Sequence, residues 1–335
     1  MTSSENTGQG PLFTDPDPDV ARAFFREKKG ALTDKLISVS DAVARFVHDG
    51  DYLASGGFGG NRIATALLHE VVRQERTDLG FAGHTTTHDF QILAAGTRTG
   101  KQIFSRLDAA YILGLEARGL SAQARRLMES GEVEVCEWTN YALACRFRAA
   151  ATGVPFVPVR SMLGTDTFRE SAAKEIACPF TGKSLTVVPA LYPDVALIHV
   201  HESDLFGNCR IRGITVADWD LSRASKRVIV SAERIVSTDE IRSDPNATAI
   251  PAFCVDAVCH VPYGSFPGNM AGEYFSDEVH LKAWLDAEQD AETYRAFLDK
   301  YLYGVDCFED YLEICGGEER LAELQRLEGK GAGYV

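Results

Sequence analysis

The sequence predicts an α/β fold: an open, mainly parallel sheet flanked by helices, with an irregular insertion and acidic helices near the C-terminus. Short apolar runs are followed by turn residues and then by amphipathic stretches, which is the strand–turn–helix unit of a parallel sheet. That unit recurs along the chain. With 335 residues, 45% of them hydrophobic, the chain can bury a core large enough for one α/β domain or two intimately packed ones.

Residues 1–34 read as an N-terminal arm, partly disordered. An acidic segment, Asp15-Pro16-Asp17-Pro18-Asp19, precedes a charged stretch from Arg22 to Lys29 that is expected to be helical. The α/β domain is expected over 35–315. It opens with a helix at Ser40-Asp41-Ala42-Val43-Ala44-Arg45-Phe46-Val47, where an N-cap leads into apolar spacing of three and four. A strand from Tyr52 to Ser55, a glycine turn, and a helix from about Asn61 to Glu75 follow, with Ile63, Leu67, Leu68, Val71 and Val72 facing inward.

The unit repeats at Leu79 to Ala82, which leads into His84-Thr85-Thr86-Thr87-His88-Asp89 and a helix. Ala109 to Leu113 reads as another strand, Ser121 to Ser130 as a helix, and Val133 to Cys136 as a strand entering Glu137-Trp138-Thr139-Asn140 and a helix ending at Gly153. Residues 160–184 read as a long surface loop, of a length that is usually functional or poorly ordered. Buried strands return at Leu185 to Pro189, Val195 to Val200, Arg227 to Ser231 and Cys254 to Val261, with a short one at Asn208 to Arg212. Acidic helices at Asp277 to Gln289 and Thr293 to Tyr303 close the fold, and 316–335 read as a C-terminal tail.

The formal net charge of −14 leaves no broad basic surface, so neither nucleic acid nor an anionic membrane is an expected partner. Counter-charges for an anionic ligand must then be local. No apolar run reaches the roughly 18 residues of a membrane span, and residues 1–10 lack the basic end and apolar middle of a signal peptide. A cytoplasmic protein is expected. The eight cysteines are scattered without a Cys-x-x-Cys pair and read as reduced thiols.

Candidate functional residues fall at the C-terminal ends of successive strands, the edge where open parallel sheets bind ligands. In Leu53-Ala-Ser-Gly-Gly-Phe-Gly-Gly-Asn-Arg62, a glycine-rich turn lets backbone N–H groups of Gly56 and Gly57 approach a polarised oxygen. Such a turn can equally serve only close helix packing. Arg62, just after it, reads as an anion contact or an ordinary surface cation. His84 and Thr85 head a threonine-rich loop suited to a cap or to hydrogen bonding a substrate. His84 and His88 are four apart, but no third ligand accompanies them and no metal site is expected. Asn140 either caps its helix or holds a carbonyl oxygen. His199 and His201 are read as facing opposite sides of their strand, one in the core, and Asp204 to Asn208 as a tight turn.

Several blocks in this order resemble family I CoA-transferases: Gly56-Gly57-Phe58 with Arg62, Glu137-Trp-Thr-Asn140 through Arg148-Ala-Ala-Ala-Thr-Gly153-Val-Pro155-Phe-Val-Pro158, Tyr192-Pro-Asp194-Val-Ala-Leu-Ile-His199, and Val255-Asp256-Ala-Val258 to Pro262-Tyr-Gly264. The resemblance runs from about Leu36 to Tyr311 and is to the A (alpha) subunits, those of the glutaconate type above all.

It implies a CoA-transferase-like fold and an active site between two subunits of a heterodimer or higher heteromer. Acyl-CoA and a short carboxylic or dicarboxylic acid are the implied substrates, with coenzyme A a substrate and no cofactor permanently bound. In that family the thioester is attacked by a glutamate in a Glu-Asn-Gly-like turn of the B-type subunit. This chain has no such turn in its body: Ser4-Glu5-Asn6 lies in the arm, and Glu129-Ser130-Gly131 reads as a helix end.

By resemblance, Gly56, Gly57 and Phe58 surround the acyl group, Arg62 meets the carboxylate of a dicarboxylic substrate, and Asn140 stands where relatives usually carry a glutamine whose amide lies at the reacting centre. Relatives on the same fold include ring-opening, C–C-cleaving hydrolases with a glutamate near this position, for which Glu137 is the candidate base, and a decarboxylase of a glutaconyl-type thioester. A non-catalytic acyl-CoA-binding protein is the remaining alternative.

Overall fold

A computed structural model describes residues 7–28, 30–112 and 119–329. Its strands are β1 (Tyr52–Ser55), β2 (Leu79–Gly83), β3 (Phe104–Ala109), β4 (Glu134–Glu137), β5 (Phe156–Val159), β6 (Lys174–Ala177), β7 (Ser184–Pro189), β8 (Val195–Ser203), β9 (Cys209–Arg210), β10 (Arg227–Ile235), β11 (Thr248–Ile250) and β12 (Ala257–His260). In the main nine-stranded sheet, β12, β10, β8, β1, β2, β3 and β4 lie side by side and parallel. An antiparallel β9 and β11 extend the far end of β8. The C-terminal ends of β1, β2 and β4 therefore open on one edge.

Alternation along these strands builds a core on each face. Leu53, Phe81, Leu197 and Ile229 pack with helices Val39–Phe46, Thr65–Arg73, His88–Ala94 and the C-terminal helices. Ala54, Ala82, Ile198 and Val230 pack on the other face with helices Asn140–Thr152 and Asp218–Ala224. No helix among the described residues is long and apolar enough to cross a membrane.

Five sequence expectations need correction. The helix after the glycine turn starts at Thr65 rather than Asn61, because Arg62 has a left-handed φ of 59° that no helix continues. The third strand is Phe104–Ala109, not Ala109 to Leu113; Leu113 itself, Lys29 and the Glu5-Asn6 pair lie outside the described residues.

Residues 160–184 are not one irregular loop. β6 pairs with β7, which pairs with β5, in a three-stranded antiparallel sheet. Within the described part of the arm, Gly8 and Gly10 donate to the Ala173 and Ser171 carbonyls, and the helix spans Pro18–Glu27, starting four residues before the expected stretch from Arg22. Finally, most of the expected tail is a helix, Gly317–Gly329, that buries Leu321 and Leu324 in the main core.

Candidate active site

At the end of β1 the chain passes through Gly56 and Gly57 into a tight turn in which Phe58 and Asn61 exchange both backbone hydrogen bonds at 3.0 Å. The glycines are required by close approach. A Cβ on Gly56 would sit 2.7 Å from Asp218 Oδ1, and one on Gly57, with φ of 86°, would sit 2.6 Å from the Asn61 carbonyl oxygen.

Their N–H groups, however, are already used. Gly56 donates to the Leu197 carbonyl at 2.9 Å, continuing the sheet register, and Gly57 donates to Asp218 Oδ1 at 2.9 Å. The expectation that these two amides point at a substrate oxygen is corrected accordingly. What the turn presents is the half-buried Phe58, whose ring lies 5.6 Å from that of His84.

Arg62 is also corrected. Its guanidinium is fully buried and meets both oxygens of the equally buried Asp218, at 3.1 and 2.9 Å. It also donates to the carbonyls of His199 and Ile214. The anion it binds is the protein's own, and a substrate carboxylate cannot reach it. The pair closes the glycine turn from behind.

Two further strand ends complete the polar edge. Thr139 caps helix Asn140–Thr152 by accepting from the Ala142 N–H, which releases the Asn140 amide from capping. Asn140 Nδ2 instead donates to Thr85 Oγ1 at 2.7 Å, and that hydroxyl lies 3.1 Å from His84 Nδ1. Burial holds the His84 imidazole below its ordinary range, opposed by the Asn140 backbone and the Asp218 charge, so the ring is neutral near pH 7.

Phe58, His84, Thr85 and Asn140 thus come together. Glu137 does not: half-buried at the end of β4, it lines a separate depression with Arg125, Met128, Glu129 and Val135. No group of residues able to hold a metal ion occurs among the described residues.

Two buried networks beneath this edge have no counterpart in the sequence reading. Asp108 on β3 accepts from Tyr52, Trp138 and Arg146, each at 2.5 Å, and the Arg146 guanidinium stacks 4.2 Å over Trp138. This ties β1, β3 and the base of the Asn140 helix together two residues before Asn140 itself.

The other network has the outline of a serine–histidine–glutamate triad: Ser231 Oγ and Glu233 Oε1 each lie 2.8 Å from a His199 ring nitrogen. Its hydroxyl is fully buried, so it cannot serve as a nucleophile toward a ligand. Burial works to raise the Glu233 carboxyl, but hydrogen bonds from His199, Tyr274 and the Tyr263 amide outweigh it and hold the group below its ordinary range.

His201, two residues along β8, is fully buried too, with Nε2 against the Ala271 carbonyl. Residues two apart on a strand share a face, so the expected separation of His199 and His201 does not occur. Asp204 to Asn208 is a tight turn, with Asp204 Oδ1 accepting from the Phe206 and Asn208 amides.

The Coenzyme A transferase family model matches residues 36–260. The chain belongs to the coenzyme A transferase family. It is 31% identical over 314 residues to the A-type subunit of glutaconate CoA-transferase from Acidaminococcus fermentans, covering 89% of this chain and 96% of that one. The crystal structure of that transferase superposes with a TM-score of 0.79 at 30% identity, over 87% of this chain and 95% of the other.

To the A-type subunit of 3-oxoadipate CoA-transferase from Pseudomonas knackmussii the identity is 34% over 281 residues, covering 83% and 96% of the two chains. The IpdA subunit of the cholesterol ring-cleaving hydrolase of Rhodococcus jostii is 30% identical over 290 residues, covering 83% and 94%. In sequence and in fold the chain is accordingly similar to the A-type subunits of CoA-transferases.

Proposed function

We propose that this chain is one half of a heteromeric CoA-transferase moving CoA between an acyl-CoA and a short carboxylic or dicarboxylic acid, the nucleophilic glutamate coming from a B-type partner. One observation carries the reading: the edge that gathers Phe58, His84, Thr85 and Asn140 offers an amide, a hydroxyl and a neutral imidazole, while the carboxylate expected beside them, Glu137, faces a different depression. Such an edge stabilises charge and does not itself attack a thioester.

In the proposed reaction the partner carboxylate attacks the thioester carbonyl, and the C–S bond breaks as CoA leaves as thiolate. The thiolate then attacks the glutamyl carbonyl of the mixed anhydride, releasing the donor acid and leaving a glutamyl-CoA thioester. The acceptor acid reverses both steps. Asn140, held through Thr85, directs its remaining amide N–H at the oxyanion formed at each attack, and Phe58 packs against the acyl group.

A hydrolase like the ring-cleaving relative calls for a proton acceptor on this chain at the reacting centre. Asn140 takes no proton, Glu137 is elsewhere, and the proton acceptor that this edge does hold, the neutral His84 ring, already has its Nδ1 against the Thr85 hydroxyl, so hydrolysis is the less supported reading. Coexpression with a B-type subunit that carries a Glu-Asn-Gly turn tests the proposal. A stable complex burying well over ~2,000 Å² and transferring CoA to an added acid is expected. A protein that stays monomeric beside every such subunit contradicts it, and CoA binding without turnover in any complex indicates a non-catalytic binding protein.

A further inference from the structure

We infer that Arg212 and Arg234 form the anchoring site for the phosphate groups of the CoA substrate, an assignment that rests on the transferase reading above. The two arginines belong to a cluster at the end of β8 and β10, on the same edge as the candidate active site. Glu202 and Arg234 are register partners across β8 and β10, and the β9 hairpin sets Arg210 opposite Glu202. Arg234 reaches Glu202 at 3.0 Å and Glu273 at 2.8 Å; Arg212 reaches the same two carboxylates at 3.0 and 3.4 Å. Arg210 sits 3.5 Å from Glu202.

Exposure decides what this cluster presents to solvent. The side chains of Arg212 and Arg234 are 51% and 43% exposed, whereas Glu202 and Glu273 are 12% and 19% exposed beneath them. The carboxylates hold the guanidiniums from below, and it is the arginines that are exposed to solvent. Three arginines against two glutamates leave one net positive charge, on a chain whose total is −14. Guanidiniums held in place, with N–H groups still facing water, suit the planar, two-point recognition of phosphate.

The cluster is mechanically continuous with the glycine turn. The Arg212 N–H donates to His201 Nδ1 at 3.1 Å, and two residues on, the Ile214 carbonyl accepts from Arg62, whose pairing with Asp218 holds Gly57. Two residues of chain span at most about 7 Å. A ligand with its reactive end at Phe58 and Asn140 and a flexible arm carrying phosphates at the other end fits this arrangement. CoA has that form, and the carboxylic acid substrate has no phosphate.

Titration calorimetry on the full chain, with CoA, pantetheine and inorganic phosphate as separate probes, tests the assignment. CoA is expected to bind at least about tenfold more tightly than pantetheine, which has the arm and thiol without phosphate, and more weakly as salt rises. Arg212→Ala, a half-exposed position that leaves the Arg234 pairs intact, should reduce CoA affinity about tenfold and leave pantetheine unchanged. Arg212→Glu should reduce it further. Equal binding of CoA and pantetheine, unchanged CoA affinity in both variants, or inorganic phosphate binding as tightly as CoA would each overturn the assignment. So would a wild-type chain that binds no CoA; CoA transfer by the complex would then still uphold the transferase reading.

Discussion

Replacing Asn140 with alanine is expected to lower turnover of the assembled enzyme by about 10²–10³-fold while leaving association with the partner intact. The loss follows from geometry. Asn140 begins its helix but is relieved of capping by Thr139, and its amide is oriented through Thr85, 2.7 Å away. In the proposed role, removing the amide deletes a donor to developing charge and leaves the Thr85–His84 contact in place. The reduction should appear in kcat and kcat/KM together, because the interaction strengthens only in the transition state. Asn140→Gln, which keeps an amide on a longer arm, should retain more activity than Asn140→Ala. Steady-state kinetics on complexes of equal stoichiometry checks this, and unchanged turnover in Asn140→Ala removes the residue from the site.

Asp218→Ala is the change expected to damage stability most. It leaves the Arg62 guanidinium fully buried with no counter-ion and strips the Gly57 N–H of its acceptor. Breaking a buried pair by deleting one partner costs about 3–5 kcal/mol, against a total stability of about 5–15 kcal/mol for a typical domain. Urea unfolding should show a large fall in midpoint. Asp218→Asn, which keeps an acceptor for Gly57 and removes the charge, should also destabilise, because the uncompensated cation remains. A midpoint within error of wild type for Asp218→Ala would show that the pair does not hold the glycine turn.

The parts of the site legible in the sequence are those governed by local rules. Strand, turn and helix alternate visibly, and parallel strands bring their C-terminal ends to one edge, so Phe58, His84, Thr85 and Asn140 can be grouped from sequence alone. Arg62 misleads for a physical reason. A cation after a glycine turn implies an anion, but the anion lies 156 positions away on the helix at Asp218, and nothing local marks that acid as its partner. β3 is displaced in the sequence reading because Phe-Ser-Arg-Leu-Asp-Ala carries Asp108 inside the sheet, where three donors compensate the charge. A search for apolar runs passes over such a strand.

The insertion at 160–184 hides its strand for a related reason. Lys174–Ala177 lies at the edge of a small sheet, opens with two charged residues, and lacks both the polar–apolar alternation of a half-buried strand and the continuous apolar run of the buried ones. Glu137 shows the limit of reading roles from proximity along the chain. It precedes Asn140 by only three residues, but it stands at the end of the strand and Asn140 begins the helix, and the two face different surroundings.

In the proposed division of labour, this chain supplies oriented polar groups and the attacking carboxylate belongs to its partner. Intact-mass and peptide mass spectrometry of the two-subunit complex, trapped after mixing with an acyl-CoA and no acceptor acid, tests that division most directly. CoA joined through a thioester to a glutamate of the partner, with none on this chain, is the expected result. Free acid released at the full rate with no such adduct, or an adduct on a residue of this chain, would contradict it.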